Sequence, residues 1–369
     1  MNRLFETFRE LVAIDSPAFG ERRLCDSLKG KLAALGAVCE EDNAGELIKG
    51  NCGNLYGFLP GEMAGAPLLF SAHMDTVEPA LGKTAVLLED GRITSNGATV
   101  LGADDVSGIA AILEAIARLR ETGTPHRPIE LLFTAAEELY GMGSAVANYD
   151  KLRAKEAYVL DLGGAVGEAA NAAPTLLSFT VDMHGKAAHA AFGSHAGVHA
   201  IAAAAKAIAR IPQGEPEPGL TCNIGTIKGG EARNIVPALC TVNGEIRSMS
   251  HAAVMVYWEM IKSIFEDEAR QAEALVEFSY KIEISAYETP LDSPVVRRFE
   301  QACKAAGIPC YVHSTLGGSD NNNYATHGIE GLVIACSMYD VHSTREYTLL
   351  DELEQCVTLV THLMTAEEP

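Results

Sequence analysis

The chain has 369 residues, 48% of them hydrophobic and 6% aromatic, and a formal net charge of -21. Its length exceeds what one hydrophobic core usually serves, so two domains are expected, and its apolar content excludes a disordered chain. The negative field excludes nucleic acid and anionic membrane surfaces as partners. Nine scattered cysteines with no C-x-x-C pair argue against a disulfide framework and against a thiolate zinc site, and point to a reducing compartment. In the first 15 residues, Leu4, Phe8, Leu11 and Val12 fall on one helical face and charges interrupt the apolar pattern, so this is an amphipathic helix and not a signal peptide. No apolar run reaches the length of a membrane span, and a cytoplasmic location is expected.

From there the first half alternates strands and helices. Residues 54–59 form a short strand closed by Pro60-Gly61, and 68–72 an apolar strand running into His73. The spacing of Ile109, Ile112, Leu113, Ile116 and Leu119 predicts a helix. Residues 129–133 and 158–160 are further buried strands, ending just before Glu137 and at Asp161. Continuous apolar strands between helices indicate an α/β sheet covered on both faces. Beyond residue 174 the style changes. A strand (176–183), an Ala-rich helix (198–211), two strands (221–227 and 239–247), a long helix (254–274) and an alternating strand (276–285) follow. This β-α-β-β-α-β order marks an α+β, ferredoxin-like domain. A helix (293–306), a strand (332–336) and a helix (349–364) then resume the α/β pattern. The division expected is 1–174 with 289–369, and an inserted domain at 175–288.

The residue types that carry chemistry sit at strand ends. His73-Met-Asp75 follows a buried strand, where α/β sheets place their sites, and a carboxylate two residues on can orient a metal-bound imidazole. Asp104 and Asp105 open the helix of Ile109; capping explains such a pair as readily as a carboxylate bridging two cations. Glu137 and Glu138 follow the strand at 129–133, and could divide into general base and ligand or simply enter solvent. Asp161 could be a turn aspartate, and His342 a structural histidine. Taken together, His, Asp and Glu recur at strand ends of one domain, and five such ligands hold two metal ions if one carboxylate bridges. No G-x-S-x-G elbow, P-loop or G-x-G-x-x-G after a strand competes with that reading.

In order and spacing, SAHMDTV (71–77), LGADD (101–105), TAAEE (134–138), VLDLGG (159–164), GKAAHA (185–190), GGEARNIVP (229–237), GEIRS (244–248), GGSDNN (317–322) and HSTRE (342–346) resemble the family of peptidase T, carboxypeptidase G, aminoacylase and succinyl-diaminopimelate desuccinylase, co-catalytic metallohydrolases. LGADD and VLDLGG lean toward the peptidase T branch. The resemblance covers nearly the whole chain. It implies a mixed-sheet zinc-peptidase catalytic domain with an inserted lid and dimerisation domain, and a homodimer. By position, His73 and Asp161 would bind one metal, Glu138 and His342 the other, and Asp104 would bridge. Asp75 would orient His73, and Glu137 would be general base for a metal-bridging water and then general acid. The Asp104–Asp105 peptide would be cis. His189 would help stabilise the oxyanion, often from the partner subunit, and Asn234 and Arg247 would bind substrate, Arg247 through its planar fork. One departure is Val106, where many relatives carry Lys. The implied activity is hydrolysis of short peptides from the amino terminus. The alternatives are an N-acyl amino acid deacylase or carboxypeptidase of the same family and, from a different class, a non-catalytic metal-binding relative. Zinc is the expected metal, with cobalt or manganese also suited to the donors.

Overall fold

The computed structural model describes residues 2–367. They divide into two compact units, Met1–Ala172 with Glu288–Pro369, and Ala173–Tyr287. The breaks fall at 172/173 and 287/288, against 174/175 and 288/289 in the sequence reading. Among the described residues, no helix is long and apolar enough to cross a membrane.

The larger unit is built on a nine-stranded mixed sheet whose centre runs Leu55–Leu59, Ile129–Thr134, Leu68–His73, Glu156–Gly163, Glu330–Met338. The last four of these are mutually parallel, and Leu55–Leu59 is antiparallel to its neighbour. Ile129–Thr134 and Leu68–His73 are buried at every position. This is why their sequences are apolar without alternation: both faces of the sheet are covered. The helix Ala103–Thr122 buries Ile109, Ile112, Leu113, Ile116 and Leu119 to 4% exposure or less. It packs against Arg3–Val12 and Leu350–Thr365 as well as the sheet. Each such side chain contributes about 1.5–3 kcal/mol on burial. Val106, where relatives carry Lys, is 2% exposed and belongs to this apolar core.

The smaller unit holds a five-stranded antiparallel sheet ordered Gly214–Glu217, Leu220–Gly229, Leu239–Ser248, Thr175–His184, Leu275–Ile284. Without the short edge strand this is the order of a ferredoxin-like β-α-β-β-α-β sheet. The helices Ala200–Arg210 and His251–Ala272 pack on it around Trp258, Phe265 and Phe179. The edge strand, with the sequence GEPE, carries no apolar alternation and was not anticipated.

Candidate metal centre

The parallel strands all deliver chemistry at their carboxyl ends, where open α/β sheets leave a crevice. His73 is the last residue of Leu68–His73. Ile129–Thr134 leads into the short 3-10 turn Glu137–Leu139. Asp161 lies near the end of Glu156–Gly163, and His342 follows Glu330–Met338. The start of the Ala103–Thr122 helix is interrupted at Asp104 (φ -82°, ψ 101°) and Asp105 (φ -120°, ψ 36°), and the peptide between them is cis. The two aspartates divide the roles that the sequence left open. Asp105 is the cap, accepting from Gly108 N at 3.2 Å and from His73 N at 3.1 Å. Asp104 is turned to the histidines.

Asp104 Oδ1 lies 2.9 Å from His73 Nε2, and Asp104 Oδ2 lies 3.2 Å from His342 Nε2. His342 Nε2 is also 3.0 Å from Glu138 Oε2, and Asp161 Oδ1 is 3.7 Å from His73 Nε2. One carboxylate thus stands between two histidines, each of which has a further carboxylate beside it. His73, Asp104 and Glu138 each offer a donor atom within 4.8 Å of the others, and so do His73, Glu137 and Asp161. The second grouping puts Glu137 within reach of an ion. Glu138 Oε1 is buried with no hydrogen-bond partner, a costly state for a carboxylate unless a cation satisfies it. The donor set therefore fits hard or borderline divalent ions.

Electrostatics say the same. Burial, reinforced by the Asp161 charge, holds Glu137 well above the ordinary carboxylate range, and burial does likewise for Asp161. Burial opposes protonation of His73, but Asp104, Asp75 and Asp161 outweigh it and raise the imidazole well above its usual value. Hydrogen bonds to Asp104 and Glu138 raise His342 to about 10. Packing this many carboxylates together demands positive charge. A cavity of about 220 Å³ opens beside them, lined by Asp104, Glu137, Glu138, Asp161 and His342 together with the apolar Leu162, Val333, Met338 and Val341.

Asp75 does more than face His73, whose Nδ1 lies 3.4 Å from Asp75 Oδ1. Its two oxygens accept from Glu137 N (2.8 Å) and Glu138 N (3.1 Å), so it also holds the turn that carries both glutamates. Two supporting residues went unread. Glu346, 1% exposed, accepts from Gly102 N at 2.7 Å and Asp104 N at 2.9 Å and fixes the loop that presents Asp104; its only signal was its place in HSTRE. Asn54, fully buried, accepts from Ala135 N at 3.1 Å and donates to Gly143 O at 2.9 Å; its signal was a polar residue opening an apolar strand.

His189, Asn234 and Arg247 belong to the smaller unit. His189 is exposed, and its Nδ1 accepts from Ala191 N (3.2 Å) and Phe192 N (3.4 Å). Those bonds leave Nε2 as the protonated, donating nitrogen of the neutral ring. Asn234 is exposed and its carbonyl accepts from Ala190 N at 3.0 Å, tying it to the His189 segment. Arg247 is half-buried, with Nε 3.0 Å from Glu245 Oε1 on its own strand.

Comparison with known proteins agrees with this architecture. Residues 54–209 match the family described as Peptidase family M28, and residues 171–273 the Peptidase dimerisation domain. The chain is 34% identical to aminopeptidase PepT from Bacillus cereus, with a TM-score of 0.91, covering 98% of this chain and 97% of that one. It is 31% identical to a tripeptidase from Staphylococcus aureus, with a TM-score of 0.95 and the same coverage. An uncharacterized Bacillus subtilis protein, YqjE, is 33% identical across 97% of this chain and 96% of its own length. The fold and the donor chemistry are those of a metallopeptidase. The chain belongs to the M20 family of peptidases, on its peptidase T-like branch.

Proposed function

We propose that this protein is a dinuclear metal-dependent aminopeptidase acting on short peptides, tripeptides foremost. The observation that carries the reading is the convergence of Asp104, Glu138, Asp161 and His342 on one cavity that Glu137 also lines, with the buried His73 against Asp104 and Asp161. His73 and Asp161 would hold one ion and Glu138 and His342 the other, with Asp104 shared between them; zinc suits the donors, as do cobalt and manganese. When bound, the two ions supply Lewis acidity toward water and a scissile carbonyl.

Within that frame the chain's own residues divide the work. Asp75 fixes both His73 and the Glu137–Glu138 turn. Glu137, which lines the cavity beside the donors, takes the proton of the attacking water and returns it to the leaving amine. His189 offers its Nε2 proton to the developing oxyanion, and Asn234 and Arg247 bind the substrate; for a carboxylate, Arg247 must exchange its bond to Glu245. The smaller unit serves as lid and as the interface of a homodimer, consistent with its match to a dimerisation domain, and the enzyme works in the cytoplasm. The relatives named aminopeptidase and tripeptidase support the choice of substrate.

A panel of tripeptides, dipeptides and N-acetyl amino acids, assayed with and without chelator, tests the reading. Chelator-sensitive cleavage of free tripeptides is the expected result. Turnover of N-acetyl amino acids alone would replace it with a deacylase. In the same assay Glu137→Ala should lose about 100- to 10,000-fold in kcat while retaining both ions. Loss of an ion in that variant would make Glu137 a ligand instead of the base.

A further inference from the structure

Four consecutive backbone N–H groups lead into the turn that carries Glu137 and Glu138, and each ends on a buried side chain. Ala135 N donates to Asn54 Oδ1, Ala136 N to Glu21 Oε1 at 3.0 Å, and Glu137 N and Glu138 N to Asp75. Ala136 is the pivot. Its backbone is left-handed (φ 50°, ψ 44°), a region that alanine enters only against its steric preference. The chain must take that bend to pass from the buried strand Ile129–Thr134 into the turn whose first residue is Glu137.

Glu21 is itself an anomaly. It is fully buried, and its Oε2 has no hydrogen-bond partner. It immediately precedes the helix Arg22–Ala34 yet makes no side-chain capping bond to it. Its Oε1 accepts instead from Ala136 N and from Phe19 N at 3.0 Å, and Phe19 is a second non-glycine residue with left-handed backbone (φ 68°). Burial, with the Asp75 charge beside it, pushes its carboxyl up to about 7. A buried carboxyl with an idle oxygen is unfavourable for stability. Such features persist where they hold a strained backbone at a working site. Glu21 does not line the cavity, so any role in the reaction must act through the residue it holds.

We propose that Glu21 is a positioning residue: by holding the Ala136 amide it maintains the left-handed bend that aims Glu137 into the cavity. This rests on the reading of Glu137 as the base. A base displaced by about 1 Å loses on the order of 100-fold in rate, so Glu21→Ala should lower kcat about 10- to 100-fold. KM should stay within about twofold and both ions should remain bound. Glu21→Gln, which keeps an acceptor for both amides, should recover most of kcat.

The decisive background is Ala136→Gly, because glycine adopts a positive φ without penalty. If Glu21 acts by maintaining the bend, Glu21→Ala should be several-fold less harmful in that background. In the metal-free protein, hydrogen exchange at residue 136 should also quicken in Glu21→Ala and not in Glu21→Gln. A kcat unchanged by Glu21→Ala in a folded, metal-loaded protein would overturn the proposal. So would a loss of equal size in the glycine background, which would place the effect in the Phe19 loop. Glu137→Ala is measured alongside: activity surviving there would remove the base assignment itself, whatever the Glu21 ratios show.

Discussion

Asn54→Ala isolates how much of the larger unit's stability is invested in holding the Glu137–Glu138 turn. Asn54 is fully buried; it donates to Gly143 O at 2.9 Å and Asp42 Oδ2 at 3.0 Å, and accepts from Ala135 N at 3.1 Å. Asp42 keeps other donors, among them Ala44 N, the Asn54 backbone amide and the Tyr56 hydroxyl. The substitution therefore orphans one buried backbone group, Ala135 N, and removes one of the two donors to Gly143 O, which keeps the Val146 amide at 3.2 Å. The orphaned amide costs about 1–3 kcal/mol and the lost bond to Gly143 O about 1 kcal/mol, which gives roughly 3 kcal/mol in total. With a urea slope of about 3 kcal/mol/M for a unit of this size, the midpoint should fall by roughly 1 M. The measurement is urea unfolding followed by far-ultraviolet circular dichroism on chelated protein, so that metal binding does not mask the loss. The chain's single tryptophan, Trp258, lies in the core of the smaller unit, so its fluorescence reports that unit separately. A dichroism midpoint within about 0.2 M of the parent would show that these bonds carry no net stability and would refute the reasoning.

Two further outcomes are expected. His342→Ala removes the imidazole that lies 3.0 Å from Glu138 and 3.2 Å from Asp104; metal analysis should find one ion per chain where the parent holds two, and kcat/KM should drop by more than roughly 100-fold. Glu41 gives a pH signature away from the site: burial works against its charge, but hydrogen bonds from Arg22, Lys29 and the Gly53 amide outweigh it and lower its carboxyl to about 2. Its folded value lies below the unfolded one near 4.5, so its contribution is present above pH 4.5 and is lost as pH falls toward 2. Melting temperatures of the parent and Glu41→Gln should differ at pH 7 and converge near pH 2–3, with a small, salt-sensitive difference because the groups are partly exposed.

The fold was readable where burial leaves a pattern. LLFSA and IELLFT carry no alternation because both faces of the sheet are covered, and the spacing of Ile109 to Leu119 marks one helix. EAANAA (168–173) went unread as a strand, since it lacks β-branched and aromatic residues. It is a strand because its neighbours Tyr311–Ser314 and Glu330–Met338 pair with it, a contact that local propensity cannot express. At the centre, the residues that touch one another were legible as types at strand ends, and the structure brings His73, Asp104, Glu138, Asp161 and His342 together. The division of labour between Asp104 and Asp105 was not legible, because it depends on a local backbone break and not on side-chain chemistry. Glu21, Asn54 and Glu346 went unread for a different reason: each acts on a backbone amide 81 to 244 positions away, and no local pattern names that partner.

The proposed donors span about three quarters of the chain, from His73 to His342, and the smaller unit is encoded between Asp161 and His342. A polypeptide emerging from the ribosome therefore exposes four of the five donors long before the last. On the proposed assignment, until residue 342 has been synthesised the second ion would lack its only histidine and keep Glu138 and Asp104 alone. Hydrolytic competence would then be deferred to a late stage of synthesis, and a chain cut short before residue 342 would be released without a complete dinuclear centre.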